Sequence, residues 1–258
     1  ETQEREPNNS FGEAQELALP MTVHGLLPKP GHMDVYRFQA KAGQEVVCLI
    51  NAGGLGTRHD PVMELVDANG RVIASNQQER DRTSLGAKIP ADGAYAARVS
   101  DYQQGGTIRH FYRLTVGQLP LLKGRYPLGL KAGTTRDFKV WGYNLGETKT
   151  GAPRPFGMIA GKAIDTGALV AQTKMGETVN SLPLAIGRYD EIDETNTNLS
   201  WQTAQELRYP LTVNGRLTLD SSGKATSDFY RFTAKKGQQL ILVTAAARLG
   251  LPLHPGIG

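Results

Sequence analysis

The sequence predicts an all-β fold built around an antiparallel β-sandwich, and three observations support this. Apolar and polar residues alternate along short segments such as Val35–Phe38 and Phe229–Phe232, as in strands with one buried face. Strong turn signals recur between these segments, and the 258 residues include 30 glycines and 14 prolines. One stretch of the chain also occurs twice, which indicates a duplicated module.

The repeat joins Ala14–Pro61 to Ala204–Pro255. The matched positions are prolines, glycines and alternating apolar residues, which shape turns and fill interiors. Shared catalytic residues are not among them. The second copy supplies only part of a sandwich, so we expect uncovered sheet edges there unless further chain or a partner completes it.

Individual elements follow from local signals. Val62–Val66 and Arg71–Ala74 flank Asn69-Gly70, a strong hairpin signal. Further strands are expected at Ala94–Val99 and Phe111–Val116. Only residues 11–17 suggest a short helix, with Ser10 as N-cap and Glu13 three residues later.

Composition excludes several protein classes. Apolar residues make up 39% and charged residues 21% of the chain, as in an ordinary globular protein. The net charge is +4, but lysine and arginine are dispersed, so we expect no nucleic-acid partner. No apolar run approaches the ~20 residues of a membrane helix, so no membrane span is expected. The single cysteine, Cys48, lies in an apolar run and is expected to be buried and unreactive.

Changes in pattern predict three domains. Leu119-Pro120 marks one boundary, and an acidic, Asn- and Thr-rich linker at residues 190–198 marks the other. The domains therefore span residues 1–118, 119–189 and 190–258.

Several motifs in a fixed order carry a family resemblance. They are Glu4-x-Glu6-Pro7-Asn8-Asn9-Ser10, Ala14–Leu17, Asp34-x-Tyr36-Arg37-Phe38, Ala42–Gln44, Asp67–Gly70 and Pro90–Gly93 followed by Tyr95. Together they resemble the bacterial pre-peptidase C-terminal domain over residues 3–118, and again, incompletely, over residues 193–258. The segments Tyr126–Gly129 and Gly142–Gly146 are similar to immunoglobulin-like IPT/TIG domains.

The resemblance implies a jelly-roll-like β-sandwich, a small Ig-like β domain and a partial second β-sandwich. It also implies a non-catalytic binding or structural module of a secreted or cell-surface bacterial protein. The partner would be an extracellular protein, a polysaccharide or further copies of the chain. Two alternatives remain open: accessory domains of a secreted hydrolase whose catalytic domain lies outside this chain, and a self-assembling subunit completed by strand exchange.

Calcium is the cofactor that the resemblance implies, because relatives that bind collagen hold calcium with the N-terminal segment and with Asp residues before the D-x-Y-x-F strand. In the first copy the matching oxygen donors are Glu4, Glu6, Asn8, Asn9 and Asp34. In the second copy the nearest equivalents are Asp193, Glu194, Asn196 and Asp228. The first copy departs from the family at Gly31-His32, where acidic residues are common. The alternative is that Asn8 and Ser10 cap a turn and Asp34 opens a strand.

Catalytic motifs are missing, so we expect no enzyme activity. The histidines lie far apart and form no H-E-x-x-H, and the chain has no G-x-S-x-G. Asp165-Thr166-Gly167 resembles half of an aspartic-peptidase site, which needs a second carboxylate. His59-Asp60 is expected to serve turn chemistry or calcium binding.

Surface aromatics offer a last candidate. A binding platform could be formed by Tyr102, Tyr112, Trp141, Tyr143 and Trp201, although the alternating strand around Trp141 favours a core position for that residue.

Overall fold

A computed structural model describes residues 1–52, 55–77, 83–146, 154–155, 166–169, 172–173, 176–249 and 256–257. The chain forms two compact units. Unit 1 comprises residues 1–121, 142–146 and 172–179, and unit 2 comprises residues 122–141, 147–171 and 180–258. The described secondary structure is strand apart from a 3₁₀ turn at Ala247–Leu249, so the prediction of an all-β, sandwich-like fold is confirmed.

The main strands of unit 1 build two five-stranded sheets. In chain order the strands are β1 (Thr2–Gln3), β2 (Gln15–Glu16), β3 (Met21–Leu26), β4 (Met33–Ala40), β5 (Glu45–Asn51), β6 (Pro61–Asp67), β7 (Val72–Ser75), β8 (Ser84–Lys88), β9 (Gly93–Asp101) and β10 (Phe111–Gly117). One sheet has the order β1-β3-β10-β5-β8, and the other has the order β2-β4-β9-β6-β7. The two edge pairs β1–β3 and β2–β4 are parallel, and the other pairs described are antiparallel.

The core of unit 1 lies between these sheets and explains the alternation in the sequence. Tyr36 and Phe38 of β4 are fully buried, and Leu114 and Val116 of β10 meet them from the other sheet. Burying each large side chain contributes about 1.5–3 kcal/mol relative to exposure. Cys48 is 1% exposed, as expected, and burial raises the pKa of its thiol to about 12.

Local predictions have mixed outcomes. The hairpin turn at Asn69-Gly70 is confirmed: Gly70 has a φ of 78° and its N–H donates to the Asp67 carbonyl at 3.0 Å. The short helix at residues 11–17 is wrong. The Glu13 N–H donates to the Ser10 carbonyl at 3.1 Å, but the chain then enters β2, which pairs with Tyr36-Arg37. A helix of this length is marginal by itself, so pairing with a neighbouring strand prevails.

The remaining strands lie in unit 2, apart from the short strands at residues 172–173 and 176–177 and the ends at residues 121 and 142–143, which belong to unit 1. They are β11 (Leu121–Tyr126), β12 (Gly129–Lys131), β13 (Asp137–Tyr143), β14 (Arg154–Pro155), β15 (Thr166–Leu169), β16 (Gln172–Thr173), β17 (Gly176–Glu177), β18 (Leu182–Gly187), β19 (Asp190–Asp193), β20 (Gln205–Glu206), β21 (Leu211–Asn214) and β22 (Tyr230–Arg231). The sheets are β11-β13-β14, β12-β18-β15, β16-β17, β19-β21 and β20-β22. A small core gathers Leu130, Phe138, Leu184 and Ile186.

The repeated segments make the same backbone hydrogen bonds. The Glu4 N–H donates to the His24 carbonyl at 2.9 Å, and the Glu194 N–H donates to the Asn214 carbonyl at 3.0 Å. The Asn8 carbonyl accepts from Val35 N–H at 2.8 Å, as the Asn198 carbonyl accepts from Phe229 N–H at 2.7 Å. Glu194, Asn198 and Asn214 therefore take the places of Glu4, Asn8 and His24.

The close approach of β3 to Tyr112 predicts the effect of a single methyl group. A Cβ at Gly25 would overlap the Tyr112 ring, whereas a Cβ at Gly12 would meet nothing within 4 Å. We expect Gly25→Ala to lower the free energy of unfolding of unit 1 by about 1–3 kcal/mol, because overpacking displaces the ring. Thermal melts followed by far-UV circular dichroism measure this, with Gly12→Ala as the matched control. Equal melting temperatures for the two variants would contradict the tight packing.

Candidate functional site

A polar cluster lies beneath the N-terminal segment of unit 1. His32 Nε2 is 2.8 Å from Glu6 Oε1 and 3.2 Å from Asp34 Oδ1, and one ligand atom from each of the three residues fits within 4.8 Å. Asn8 is fully buried, and with its NH₂ turned toward the carboxylates it donates to Glu6 Oε2 at 3.1 Å and to Asp34 Oδ1 at 3.2 Å. The N-terminal segment and the start of β4 thus meet through these side chains.

Two tyrosines extend this cluster into the core. The Tyr112 hydroxyl donates to Asp34 Oδ2, and the Tyr36 hydroxyl lies 2.7 Å from the Tyr112 hydroxyl. Asp34 is fully buried, and this burial raises its carboxyl pKa to about 8. Burial also raises the pKa of Glu4, whose Oε2 accepts from the Leu26 N–H at 3.0 Å. Sequence reasoning placed neither tyrosine in this cluster, because Tyr36 lies in an alternating strand and Tyr112 was considered only as part of a surface platform.

The first cluster is a poor calcium site in this arrangement. Calcium prefers six to eight oxygen ligands. Here the His32 imidazole stands between the carboxylates of Glu6 and Asp34, at the departure already visible in the sequence. Asn9 is exposed, and Glu4 Oε2 accepts from the Leu26 N–H at 3.0 Å and from the Tyr36 hydroxyl at 3.5 Å. A donor set of one imidazole and two carboxylates suits a transition metal better than calcium.

The second copy carries the equivalent cluster in a different state. Glu194 is 6% exposed and Asn198 is fully buried. A Cβ at Gly215 would lie 3.1 Å from Glu194 Oε2 and 3.7 Å from Asp228 Oδ2, so the two carboxylates face the same space. Both carboxylate oxygens of Glu194 and both amide atoms of Asn198 are buried without a hydrogen-bond partner among the described residues.

Electrostatics in this second cluster favour a cation. Burial and the neighbouring Glu194 carboxylate raise the pKa of Asp228 to about 6. The Arg216 guanidinium approaches one side of Glu194, with Nε 3.5 Å from Oε1, but makes no hydrogen bond to it. Unpartnered buried carboxylate oxygens cost free energy unless a proton or a cation neutralises them.

The other residues expected in the second site lie elsewhere. The Asp193 carboxylate pairs with Arg136 at 2.5 Å and is exposed. The Asn196 Oδ1 accepts from Arg216 Nη2 at 2.8 Å. Sequence reasoning missed Asn198, although its signal was present: Glu194, Asn198 and Ser200 align with Glu4, Asn8 and Ser10 at one constant offset.

His59 forms a second buried polar site in unit 1. Its Nδ1 is 3.3 Å from Asp101 Oδ2, and its ring lies against Tyr112 with a centroid distance of 5.6 Å. Asp101 also accepts the N–H groups of Asp60 and Gly105, at 2.8 and 2.9 Å, so it organises the loop after β9. The Nε2 of His59 is buried and has no hydrogen-bond partner in the part of the chain that the structure describes, and burial lowers the pKa of the imidazole.

The remaining sequence candidates are dispersed. Tyr112 is buried, whereas Tyr102 and Trp201 are 48% and 72% exposed. Trp141 was expected in the core but is 54% exposed, because its ring lies over Gly124 on the outer surface of β11 and β13. Asp165 lies outside the described residues. The described helical residues include no segment long and apolar enough to cross a membrane.

Comparisons with known proteins give limited similarity. No family model matches the chain, and no curated protein matches it. The pre-peptidase C-terminal domain of a collagenase from Bacillus anthracis is 21% identical, with 44% of this chain and 99% of that chain covered and a TM-score of 0.32. PliG, a periplasmic inhibitor of g-type lysozyme from Aeromonas hydrophila, is 16% identical over 40% of this chain and 94% of its own, with a TM-score of 0.33.

The PliG of Salmonella Typhimurium is 18% identical over 42% of this chain and 98% of its own, with a TM-score of 0.31. Likenesses at this level identify neither a ligand nor an activity.

The buried imidazole predicts a pH dependence of unit 1. Because the pKa of His59 is lower in the folded chain than in the unfolded chain, the unfolded chain binds more protons below about pH 6.5. We therefore expect His59 to reduce stability by up to about 2 kcal/mol between pH 7 and pH 5. Asp101, Asp60 and His110 are the titratable groups around it.

Replacing His59 by glutamine should remove this part of the pH dependence. Urea unfolding at pH 7 and pH 5, followed by far-UV circular dichroism, measures the difference between the variant and the parent chain. His24→Gln, at a half-exposed histidine, is the control for the loss of a histidine elsewhere in unit 1. A slope with pH that is identical in all three chains would contradict the assignment.

Proposed function

We propose that the chain is a non-catalytic binding module of an exported bacterial protein, and that calcium holds its second repeated segment in place. The observation that carries the calcium proposal is the buried oxygen set of Glu194 and Asn198, which has no hydrogen-bond partner among the described residues. Asp228 faces the same space and adds a second carboxylate. Resemblance to the pre-peptidase C-terminal domain supports the exported location.

The donor chemistry of the second cluster fits calcium. Two carboxylates and one amide oxygen are hard ligands, and the remaining positions of a six- to eight-coordinate ion can be filled by water. Glu194 and Asn198 belong to the segment after β19, whereas Asp228 precedes β22. An ion held by all three would therefore tie two distant parts of the sequence together. Folding of this segment would then depend on the extracellular calcium concentration.

Burial supports a role without catalysis. An acid–base pair must reach its substrate, yet Asp34 is fully buried and the His59 side chain is 0% exposed. Both groups have structural partners in Tyr112 and Asp101. The accessory-domain alternative rests on the family resemblance alone, and no contact of the described residues favours it.

Calcium binding is testable because tryptophan reports on unit 2 selectively. The chain has two tryptophans, Trp141 and Trp201, and both belong to unit 2. We expect calcium at ten to a hundred times its Kd to stabilise the tryptophan-monitored transition by about 1–3 kcal/mol. Chelation with EDTA should reverse the shift. Isothermal titration calorimetry with calcium chloride gives the Kd directly.

Variants of Asp34 and Asp228, which take equivalent places in the two repeated segments, show which of the two clusters binds calcium. Asp228→Asn should weaken calcium binding at least tenfold, since it removes one of two carboxylates. Asp34→Asn is the matched control in the first cluster and should leave calcium affinity unchanged. Titration heats that are absent at millimolar calcium, or lost only in Asp34→Asn, would overturn the calcium proposal.

A second candidate function, self-assembly by strand exchange, is favoured by an exposed apolar segment. Ile241, Leu242 and Val243 are 90%, 56% and 70% exposed. In the first copy, Val47 and Cys48 occupy the places of Ile241 and Leu242 and are buried in β5. A second copy of the chain that pairs with this segment would cover its apolar face.

Light scattering tests this second candidate. We expect the weight-average mass to exceed 28.0 kDa and to rise with concentration, because association buries apolar side chains. The double variant Ile241→Asp, Val243→Asp should return it to the monomer value. Ile257→Asp, at an exposed apolar residue outside the segment, is the control. A parent chain that is monomeric at every concentration would refute self-assembly.

A further inference from the structure

Within unit 2, a tyrosine–proline turn packs on the strand surface of the second copy. The Tyr126 hydroxyl donates to the Asn214 carbonyl at 2.9 Å, and the Leu128 N–H donates to Asn214 Oδ1 at 2.8 Å. The Arg216 guanidinium lies over the Tyr126 ring, 4.6 Å from its centroid. Asn214 is 3% exposed as a result. The Tyr126 turn therefore covers this surface of β21.

The repeat identifies the same surface in unit 1. Gln3 pairs with His24 in the parallel β1–β3 ladder, as Asp193 pairs with Asn214 in the β19–β21 ladder. His24, Gly25 and Leu26 consequently take the places of Asn214, Gly215 and Arg216. The side chains that contact the turn in unit 2, Asn214 and Arg216, thus correspond to His24 and Leu26.

In unit 1 the equivalent surface, formed by His24, Gly25 and Leu26, borders a cavity of about 370 Å³. Among its lining residues are Glu4, His24, Leu26, Ile108 and Phe111. Ile108 is 82% exposed and Phe111 is 37% exposed, so the apolar wall faces solvent. Its volume falls within the range of roughly 300–1,000 Å³ seen for ligand pockets, and it is open to solvent.

We propose that this cavity, here named the Leu26 pocket, binds a tyrosine–proline turn presented by a partner protein. The partner ring would pack on Leu26, Ile108 and Phe111, replacing the cation–π contact of Arg216 by apolar contact. The partner hydroxyl would donate to the His24 carbonyl, which accepts the Glu4 N–H and retains a second lone pair.

His24 can also replace the amide acceptor of Asn214. Its Nε2 lies 3.1 Å from Glu1 Oε2, and in the neutral tautomer that donates there the Nδ1 atom is an acceptor. A backbone N–H of the partner turn can then donate to Nδ1, as Leu128 donates to Asn214 Oδ1. The inference deepens the proposed binding role by naming the chemistry of the partner, and it is independent of calcium.

The test uses the full chain and a cyclic peptide with the sequence of residues 124–131, labelled for fluorescence anisotropy. We expect saturable binding at one site per chain in EDTA and in calcium alike. The peptide with Tyr126→Phe should bind several-fold more weakly, and the peptide with Tyr126→Ala should lose measurable binding. Ile108→Ser should weaken binding of the parent peptide about fivefold.

Controls separate the Leu26 pocket from other surfaces. Val72→Ser removes an exposed apolar residue of β7 in the opposite sheet and should leave binding unchanged. Leu219→Ser removes an exposed apolar residue of unit 2 and should also leave it unchanged. Binding that depends on Leu219 instead of Ile108 would assign the peptide to unit 2 and overturn the proposal.

Two further results would overturn it. Equal binding of the tyrosine and alanine peptides would show that the pocket does not recognise the tyrosine side chain. A dimer of the chain that disappears in Ile108→Ser, without peptide binding, would assign the pocket to a second copy. Calcium stabilisation that persists when peptide binding fails would overturn this inference and leave the proposed calcium site intact.

Discussion

The rest of the structure depends on one constraint: carboxylates buried under the N-terminal segment must be neutralised or hydrogen-bonded. That segment joins both sheets of unit 1, since β1 pairs with β3 and β2 pairs with β4. Its side chains therefore enter the space between the sheets. In the first copy His32 and Tyr112 supply the partners of Asp34. In the second copy the described residues give Glu194 no hydrogen bond, and the Arg216 guanidinium lies 3.5 Å from it as an ion-pair partner.

The two copies show how one frame supports different surfaces. Backbone bonds such as Glu4 N–H to His24 and Glu194 N–H to Asn214 coincide within 0.1 Å, and they involve no side chain. Outward-facing side chains at the same positions differ, because the frame places little restriction on them. Asn214 is buried beneath the Tyr126 turn, whereas His24 borders an open pocket. The two segments therefore differ in their surfaces while they retain the same backbone frame.

Much of the first sandwich could be predicted from alternation and turns. The segments around Val35–Phe38 and Asn69-Gly70 form the expected strand and hairpin, because burial on one face and a left-handed glycine are encoded locally. The helix at residues 11–17 and the buried position of Trp141 were wrong, because a distant strand and an open sheet face decide them. The predicted metal residues were partly brought together, and Asn198 was visible only through the register of the repeat.

By itself, the sequence determined the all-β class, the duplication and the oxygen-rich character of both N-terminal segments. Those properties depend on residue type and short-range spacing, which the chain displays directly. Only the tertiary structure decided which carboxylates are satisfied and which surface is open. Partners such as Tyr112 for Asp34, or Tyr126 for Asn214, are separated by 78 and 88 residues, so no local pattern links them. Their meeting is set by the pairing of strands and by the packing of one sheet on another.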